Sequence, residues 1–160
     1  MIDIEFEVFF RDRYEEVRRA LTVAFADPRL AEDCAQESFV RAFVRWKRIR
    51  RMESPAGWVY VVATNVARKR RPWPSEAAIA PVDDLADAVV DRATLAQGIQ
   101  QLPDRQRIAI VLRYLVDLPV ADVATAMGCA TGTVKSTLHA GLARLRVTLD
   151  ESEEDRDGTR

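Results

Sequence analysis

Residues 119–149 read PVADVATAMGCATGTVKSTLHAGLARLRVTL, and this stretch decides the fold of the C-terminal half of the chain. A short helix is predicted to end at Gly128, because glycine suits the left-handed conformation at a helix C-terminus. After a short turn, apolar residues recur at helical spacing, at Val134, Leu138, Leu142, Leu145 and Leu149. Two helices joined by a glycine-containing turn of about three to four residues form a helix-turn-helix unit.

The beginning of the second helix is predicted to present small polar side chains and one lysine to solvent. Hydroxyl groups and a cation suit the base edges and phosphates of a DNA major groove, and a helix N-terminus itself favours a phosphate. The candidate DNA-binding residues are Thr131, Thr133, Lys135, Ser136 and His139. The alternative is an ordinary pair of packed helices on which these side chains are simply solvated.

In the N-terminal half, apolar residues also recur at the spacing of helices. Apolar residues from Phe6 to Phe25 recur every three or four positions, which predicts an amphipathic helix. Asp27-Pro28 and Ser54-Pro55 each combine an N-cap with a first-turn proline and predict the start of a further helix. No alternation typical of strands occurs in this half, so we predict an all-α fold with two small helical domains.

A segment rich in proline, alanine and acidic residues, PWPSEAAIAPVDD, separates the two halves. Such a composition is typical of a linker of limited flexibility. We predict an N-terminal domain over residues 1–72, a linker over 73–91, a C-terminal domain over 92–149 and an acidic tail over 150–160. All but one residue of that tail is polar or charged, so we expect it to be disordered.

Composition excludes several classes of protein. Of the 160 residues 48% are hydrophobic and 31% are charged, as in a soluble globular protein. No uncharged stretch approaches the roughly 20 residues that span a bilayer, and the N-terminus lacks the features of a signal peptide. We therefore expect the protein to be cytoplasmic.

Catalytic and metal-binding chemistry is poorly supported by the sequence. The two cysteines, Cys34 and Cys129, form no CxxC pair, and we expect them to be buried small residues in a reducing compartment. The one histidine, His139, has no partner for acid–base work, and no glycine-rich phosphate loop occurs. We expect no cofactor, no metal and no enzymatic activity.

The net charge of −1 conceals a strong segregation of charge. Residues 1–74 carry 15 basic and 11 acidic side chains, and residues 96–149 carry six and three. Acidic side chains outnumber basic ones by four in both 75–95 and 150–160. Ten basic residues and one acid lie within 41–71. Basic regions of this kind are typical of a polyanion-binding protein, because binding depends on local potential.

Two surfaces of the N-terminal half have open interpretations. The cations at 48–51 lie near aromatic residues, as a binding site for unpaired bases requires, yet Trp46 and Trp58 taken singly are better explained as core. On the second helix, acidic and aliphatic residues lie off the core stripe and form either a docking surface or a solvated face. They are Asp33, Gln36, Glu37, Val40 and Val44.

Three stretches resemble bacterial RNA polymerase sigma factors. AEDCAQESFVRAFVRW (31–46) and SPAGWVYVVATNVARKRR (54–71) resemble the region that binds core polymerase and melts the promoter. Residues 102–146, LPDRQRIAIVLRYLVDLPVADVATAMGCATGTVKSTLHAGLARLR, resemble the C-terminal promoter-reading domain. The order and extent of these stretches resemble the minimal two-domain class, the extracytoplasmic-function group of the sigma-70 family.

The resemblance implies partners and residue roles. It implies binding to promoter DNA, to the clamp coiled coil and flap of core RNA polymerase, and to an anti-sigma factor. Residues facing the clamp would be Asp33, Gln36, Glu37 and Arg41. Residues at the minus-ten element would be Arg48, Arg50, Arg51, Trp58, Asn65, Arg68 and Lys69, with the loop from Lys47 to Glu53 holding a flipped base. The minus-thirty-five element would be read by Thr133, Lys135, Ser136 and His139.

The sequence departs from the family pattern at several positions, one of them residues 67–69, where a segment containing an aspartate is frequent. Thr137 and Ala140 occupy places where an arginine is usual, and Val61 replaces a common arginine in the melting helix. We therefore expect the C-terminal domain alone to bind duplex DNA weakly. Two other functions stay open: a free-standing helix-turn-helix regulator that binds duplex DNA without polymerase, and an interaction module that only titrates an anti-sigma partner.

Overall fold

The computed structural model describes residues 3–73 and 91–158, and within these ranges every regular element is helical. The all-α prediction is confirmed. The helices are α1 (Ile4–Phe25), α2 (Pro28–Val44), α3 (Trp46–Ile49), α4 (Pro55–Arg70), α5 (Arg92–Gln101), α6 (Asp104–Ile110), α7 (Val120–Met127) and α8 (Thr131–Asp157). A π-helical segment, Val111–Leu115, continues α6. Most of the predicted linker, residues 74–90, lies outside the described residues.

Local capping signals set where the N-terminal helices begin. The Asp27 carboxylate accepts a hydrogen bond from the backbone N–H of Leu30 at 3.0 Å, and Pro28 is the first residue of α2. The Ser54 hydroxyl likewise accepts from the N–H of Gly57 at 2.9 Å, and Pro55 begins α4. Both predicted helix starts are confirmed, because an acceptor at the N-cap satisfies an N–H group that has no partner inside the helix.

Aromatic packing between α1 and α2 dominates the N-terminal core. The ring of Trp46 stacks on Phe9 with 5.0 Å between centroids and meets the edge of Phe6 at 5.3 Å. Phe39 contacts Phe9 and Phe10 from the other helix. Trp46 is buried, so the core interpretation of this tryptophan is correct.

The C-terminal helices form the predicted helix-turn-helix. α7 ends at Gly128, whose φ of 66° is the left-handed conformation expected of a glycine cap. α8 begins three residues later, and Val134 and Leu138 are buried against the other helices. The turn chemistry and the apolar spacing together therefore identified this unit correctly.

The acidic C-terminal segment differs from its prediction. α8 does not end near Leu149 but continues through Asp157. The guanidinium of Arg156 donates hydrogen bonds to Asp91 at 2.9 Å and to the Thr94 hydroxyl at 3.0 Å, at the beginning of α5. This ion pair joins the last turns of α8 to the beginning of α5.

The two cysteines are free thiols, with Cys34 buried and Cys129 half-buried. Burial raises the pKa of the Cys34 thiol to about 11, so it is unreactive at neutral pH. No described helix is long and apolar enough to cross a membrane. Over residues 3–73 and 91–158, no group of three or more His, Cys, Asp or Glu is arranged to hold a metal ion.

Helices from the two halves of the chain contact each other. α4 packs along α7, and α1 packs against α6 and the π-helical segment. One fixed point is the side chain of Arg107, whose Nε donates to the carbonyl oxygen of Ala24 at 2.8 Å. The sequence contained no signal for this arrangement, because the residues involved are far apart along the chain.

Candidate nucleic-acid interface

The first turns of α8 carry a compact polar surface. Burial of Val134 and Leu138 orients the helix so that its other side faces solvent. All five predicted DNA-binding residues are exposed there: Thr131, Thr133, Lys135, Ser136 and His139. The Ser136 hydroxyl donates to backbone carbonyls of its own helix, Gly132 at 3.0 Å and Thr133 at 3.1 Å, so it remains available as an acceptor.

The two positions at which a family arginine is missing are not equivalent. Thr137 is half-buried, whereas Ala140 is only 7% exposed. Ala140 lies with Gly98 and Leu102 in the lining of a groove of about 660 Å³ between α5 and α8. Position 140 shares the side of α8 with Thr133 and Ser136, at spacings of seven and four, but a cation there would start from a buried position beside α5. The expectation of a missing phosphate contact therefore holds more directly for position 137.

α4 divides the predicted minus-ten residues between two faces. Trp58, Asn65 and Lys69 share one face at spacings of seven and four, and Lys69 is exposed while the other two are half-buried. Arg68 lies on the neighbouring face, which is turned toward α7. Its guanidinium donates to the Asn65 side-chain oxygen at 2.9 Å.

The basic segment after α2 is anchored at both ends of a short helix. Trp46 and Ile49 of α3 are buried, while Arg48, Arg50 and Arg51 are exposed. What the sequence suggested as a loop therefore begins with one helical turn. Arg50 donates to the Glu5 carboxylate of α1 at 2.8 Å, so part of the repulsion between these cations is relieved within the chain.

The predicted polymerase-facing residues of α2 form a charged network. Asp33, Gln36 and Arg41 are exposed, and Glu37 is half-buried between two arginines. Its carboxylate accepts hydrogen bonds from Arg41 and from Arg70 of α4. Arg70 also approaches Asp33 at 4.0 Å. Sequence reasoning missed Arg70, since it stands in a run of cations that all looked suited to DNA.

Apolar surface adjoins this network. Val40 and Val44 are 63% and 73% exposed on the same side of α2 as Asp33 and Glu37. Val40 also borders a groove of about 750 Å³ between α1 and α2. The aromatic residues lining that groove are Phe6, Phe10, Tyr14, Phe39 and Phe43. An exposed apolar strip with a charged border is the composition of a protein-docking surface.

Comparison with known protein families matches both halves of the chain. The family described as Sigma-70 region 2 matches residues 9–71, and the family described as Sigma-70, region 4 matches residues 92–145. The first match contains α2 and α4, and the second contains the helix-turn-helix.

Individual relatives agree with these matches. The RNA polymerase sigma-E factor of Streptomyces coelicolor is 34% identical over 153 residues, covering 91% of this chain and 86% of the relative. The ECF RNA polymerase sigma factor SigW of Bacillus subtilis is 33% identical over 140 residues, covering 74% and 75%.

A solved structure shares the fold. It is the sigma factor RpoE of Bartonella quintana in complex with the anti-sigma factor NepR, with a TM-score of 0.64 at 22% identity over 91% of this chain and 97% of that one. With both halves matched and full-length relatives above 30% identity, this chain belongs to the extracytoplasmic-function group of the sigma-70 family of RNA polymerase sigma factors.

Proposed function

We propose that this protein binds core RNA polymerase, directs it to a two-part promoter and captures the melted minus-ten strand without chemistry of its own. The observation that carries the proposal is the exposure of polar and basic side chains on two separate surfaces, on α8 and on α3–α4, together with exposed acidic and apolar side chains on one face of α2. A cytoplasmic location follows from this role, because polymerase and chromosome are there.

The proposed minus-thirty-five contact uses the beginning of α8. Thr131 and Thr133 lie at the helix N-terminus, where the helix dipole favours a phosphate. Lys135, Ser136 and His139 follow on the exposed side and can reach base edges in the major groove.

The proposed minus-ten contact uses α4 and the basic segment before it. Unpaired bases are stabilised by stacking, which contributes about 1–3 kcal/mol per base, and extrusion of one base costs a few kcal/mol. Trp58 offers a partly exposed ring, and Asn65 offers an amide for hydrogen bonding. Arg48 and Arg51 supply exposed cations for the phosphates of the same strand.

Docking to polymerase is proposed to involve two surfaces. The α2 face would meet the clamp coiled coil, with Val40 and Val44 at its centre and Asp33, Gln36 and Glu37 beside them. The apolar groove between α5 and α8 would receive the flap. Because the Bartonella structure contains an anti-sigma factor, we propose that a partner of the same kind regulates this protein.

A pull-down with purified bacterial core RNA polymerase tests the proposal. We expect capture of the wild-type chain and loss of capture by Asp33→Arg/Glu37→Arg, because the charge of the docking face is reversed. The matched control is Asp12→Arg/Glu16→Arg, which makes the same change at the same spacing on α1. If wild type is not captured while it still binds duplex DNA, the chain is a free-standing regulator.

A further variant separates docking from folding. Reversal at 33 and 37 also removes the internal partners of Arg70. Adding Arg70→Glu restores opposite charges between α2 and α4 while the outer face stays basic. We expect this triple variant to regain thermal stability and to remain unable to bind polymerase. Recovery of binding would mean that the double variant failed through misfolding.

A further inference from the structure

Four consecutive cations, Arg68-Lys69-Arg70-Arg71, lie at the C-terminal end of α4 and do not form one surface. Successive residues of an α-helix are about 100° apart around its axis, so adjacent side chains point in different directions. Arg68 points toward α7 and donates to the Asn65 side-chain oxygen at 2.9 Å. Arg70 points toward α2, and Lys69 points to solvent. The run looks like one DNA-binding patch in the sequence, but each cation has its own surroundings in the structure.

Arg71 joins the end of α4 to the corner between α1 and α2. It follows the last residue of α4 in an extended conformation, with φ −137° and ψ 90°. Its guanidinium donates to the Phe25 carbonyl at 2.8 Å and to the Asp27 carboxylate at 3.1 Å. Phe25 ends α1 and Asp27 is the N-cap of α2. Arg71 is therefore occupied inside the N-terminal domain.

Arg70 lies across the charged side of α2. Its guanidinium donates to the Glu37 carboxylate and approaches that of Asp33 at 4.0 Å. Asp33 and Glu37 are one helical turn apart, and like charges at that spacing destabilise a helix, so a cation beside both relieves their repulsion. The Arg70 side chain is nevertheless 46% exposed, next to the residues proposed to meet the clamp. A partner seated on this face would therefore contact Arg70 as well.

Arg70 also fixes the position of Glu37. One carboxylate oxygen of Glu37 accepts a hydrogen bond from Arg41 and the other accepts from Arg70. A carboxylate oxygen can accept more than one hydrogen bond, so Glu37 remains an acceptor for a partner while its side chain is held in place. Holding a side chain before binding reduces the conformational entropy that is lost when the partner docks. Without Arg70, only Arg41 on the same helix would hold Glu37.

Lys69 differs from the arginine that follows it. Within residues 3–73 and 91–158, its ammonium group has no hydrogen-bond or ion-pair partner. It is exposed on the face of α4 that carries Trp58 and Asn65. An exposed cation without a partner can neutralise a phosphate without first giving up an internal ion pair.

We infer that Arg70 belongs to the polymerase-docking face, where it is a positioning residue that acts through Glu37. Lys69, and not Arg70, contacts the phosphates of the minus-ten strand. Two adjacent cations of one helix thus serve two different partners, and Arg71 serves the fold. This inference rests on the proposed function, because it requires a polymerase docked on α2.

Three variants at adjacent positions test the assignment, because each removes one positive charge from the same helix end. They are Lys69→Gln, Arg70→Gln and Arg71→Gln. Fluorescence titration with core RNA polymerase and anisotropy titration with short single-stranded DNA over a salt series measure both activities of each protein. Thermal unfolding of each variant identifies a temperature at which all of them are folded.

We expect opposite effects at the two adjacent positions. Arg70→Gln should weaken polymerase binding about three- to tenfold, the effect of one side chain that is no longer held before docking, and should leave the salt slope for single-stranded DNA unchanged. Lys69→Gln should leave polymerase binding unchanged and reduce the salt slope by about 0.7, the effect of one lost phosphate contact. Arg71→Gln is the control and should lower the thermal unfolding temperature without changing either affinity.

A double-mutant cycle shows whether Arg70 acts through Glu37. Arg70→Gln should weaken polymerase binding much less in a Glu37→Gln background than in the wild-type background. Arg70→Lys keeps the charge but loses the fork of the guanidinium, so we expect it to restore part of the binding. Equal effects of Arg70→Gln in both backgrounds would overturn the positioning role.

The outcomes separate this inference from the proposed function. If the wild-type chain and Arg70→Gln bind polymerase equally, the inference is wrong and the sigma-factor role stands. A reduced salt slope in Arg70→Gln would show that Arg70 contacts DNA and would also overturn the inference. If the wild-type chain does not bind polymerase, the proposed function fails, and the assignment of Arg70 fails with it.

Discussion

Gly128 has two roles, since it ends α7 and leaves space beside its Cα for the guanidinium of Arg68. Its φ of 66° is accessible to glycine without strain, whereas alanine in this region costs about 1–2 kcal/mol. We expect Gly128→Ala to lower the free energy of unfolding in urea by this amount. Gly128→Asn should lower the free energy of unfolding less, because asparagine tolerates the left-handed region. Equal stability of all three proteins would contradict the role assigned to the turn.

Thr137 and Ala140 give a second test at residue scale. We expect Thr137→Arg to strengthen binding to nonspecific duplex DNA and to steepen the plot of log K against log salt by about 0.9, the effect of one added phosphate contact. Ala140→Arg should change the slope less, since Ala140 is buried beside α5. Fluorescence anisotropy over a salt series measures both. An equal effect at 140 would show that both positions face DNA.

At the scale of elements, the end of α8 depends on one ion pair. The hydrogen bond from Arg156, helped by the backbone N–H of Ala93, holds the pKa of Asp91 at about 2, below its ordinary value of 3.8. A carboxyl whose pKa is lowered by folding stabilises the folded state above its ordinary pKa. That contribution is lost as the pH falls from about 4 toward about 2.

We expect Asp91→Asn to speed hydrogen exchange of the amides at 150–157 at neutral pH, since asparagine still caps α5 but no longer pairs with Arg156. Lowering the pH of the wild-type protein toward 2 should have the same effect after correction for intrinsic exchange. Asp150→Asn is the control with the same loss of charge on the helix itself. Unchanged exchange in Asp91→Asn would mean that the last turns of α8 hold without this pair.

Helix starts and the helix-turn-helix were predictable because their signals are local. Asp27-Pro28, Ser54-Pro55 and Gly128 each act on backbone groups within a few residues. The length of α8 was not predictable, because a run of acidic residues considered alone indicates disorder. Asp91, which pairs with Arg156 in the last turns of α8, is 65 positions away in the sequence.

In the candidate site too, local features were predictable from the sequence and contacts between distant residues were not. Exposure of Thr131, Lys135 and His139 followed from the apolar stripe of their own helix. The bonds that modify the other surfaces join Arg70 to Glu37 and Arg50 to Glu5, pairs separated by 33 and 45 positions. Spacing along one helix carries no information about such pairs, since they depend on how helices pack.

At the scale of the whole molecule, segregation of charge governs how the protein meets nucleic acid. Among the described residues, Arg48 and Arg51 form no ion pair, whereas Arg50 is paired with Glu5. We expect Arg48→Ala/Arg51→Ala to weaken binding to short single-stranded DNA and to reduce its salt slope by about 1.4, or about 0.7 for each lost phosphate contact.

Arg11→Ala/Arg19→Ala removes the same charge from α1 and is the matched control for this comparison. Anisotropy titrations between low and moderate salt measure all three proteins. If both double variants lower the salt slope equally, binding to single-stranded DNA depends on overall charge, and the basic segment makes no specific contribution.

The capping of α1 by Arg107 also limits how far the two halves can be exchanged as modules. A chimera that joins this N-terminal domain to the C-terminal domain of a relative keeps the acceptor at Ala24, which is only a backbone carbonyl. It keeps the donor only if the incoming domain carries an arginine at the place of Arg107. Two parents that each behave normally can therefore yield a chimera in which α1 loses this donor and the halves are joined only by the remaining contacts, chiefly those of α4 with α7.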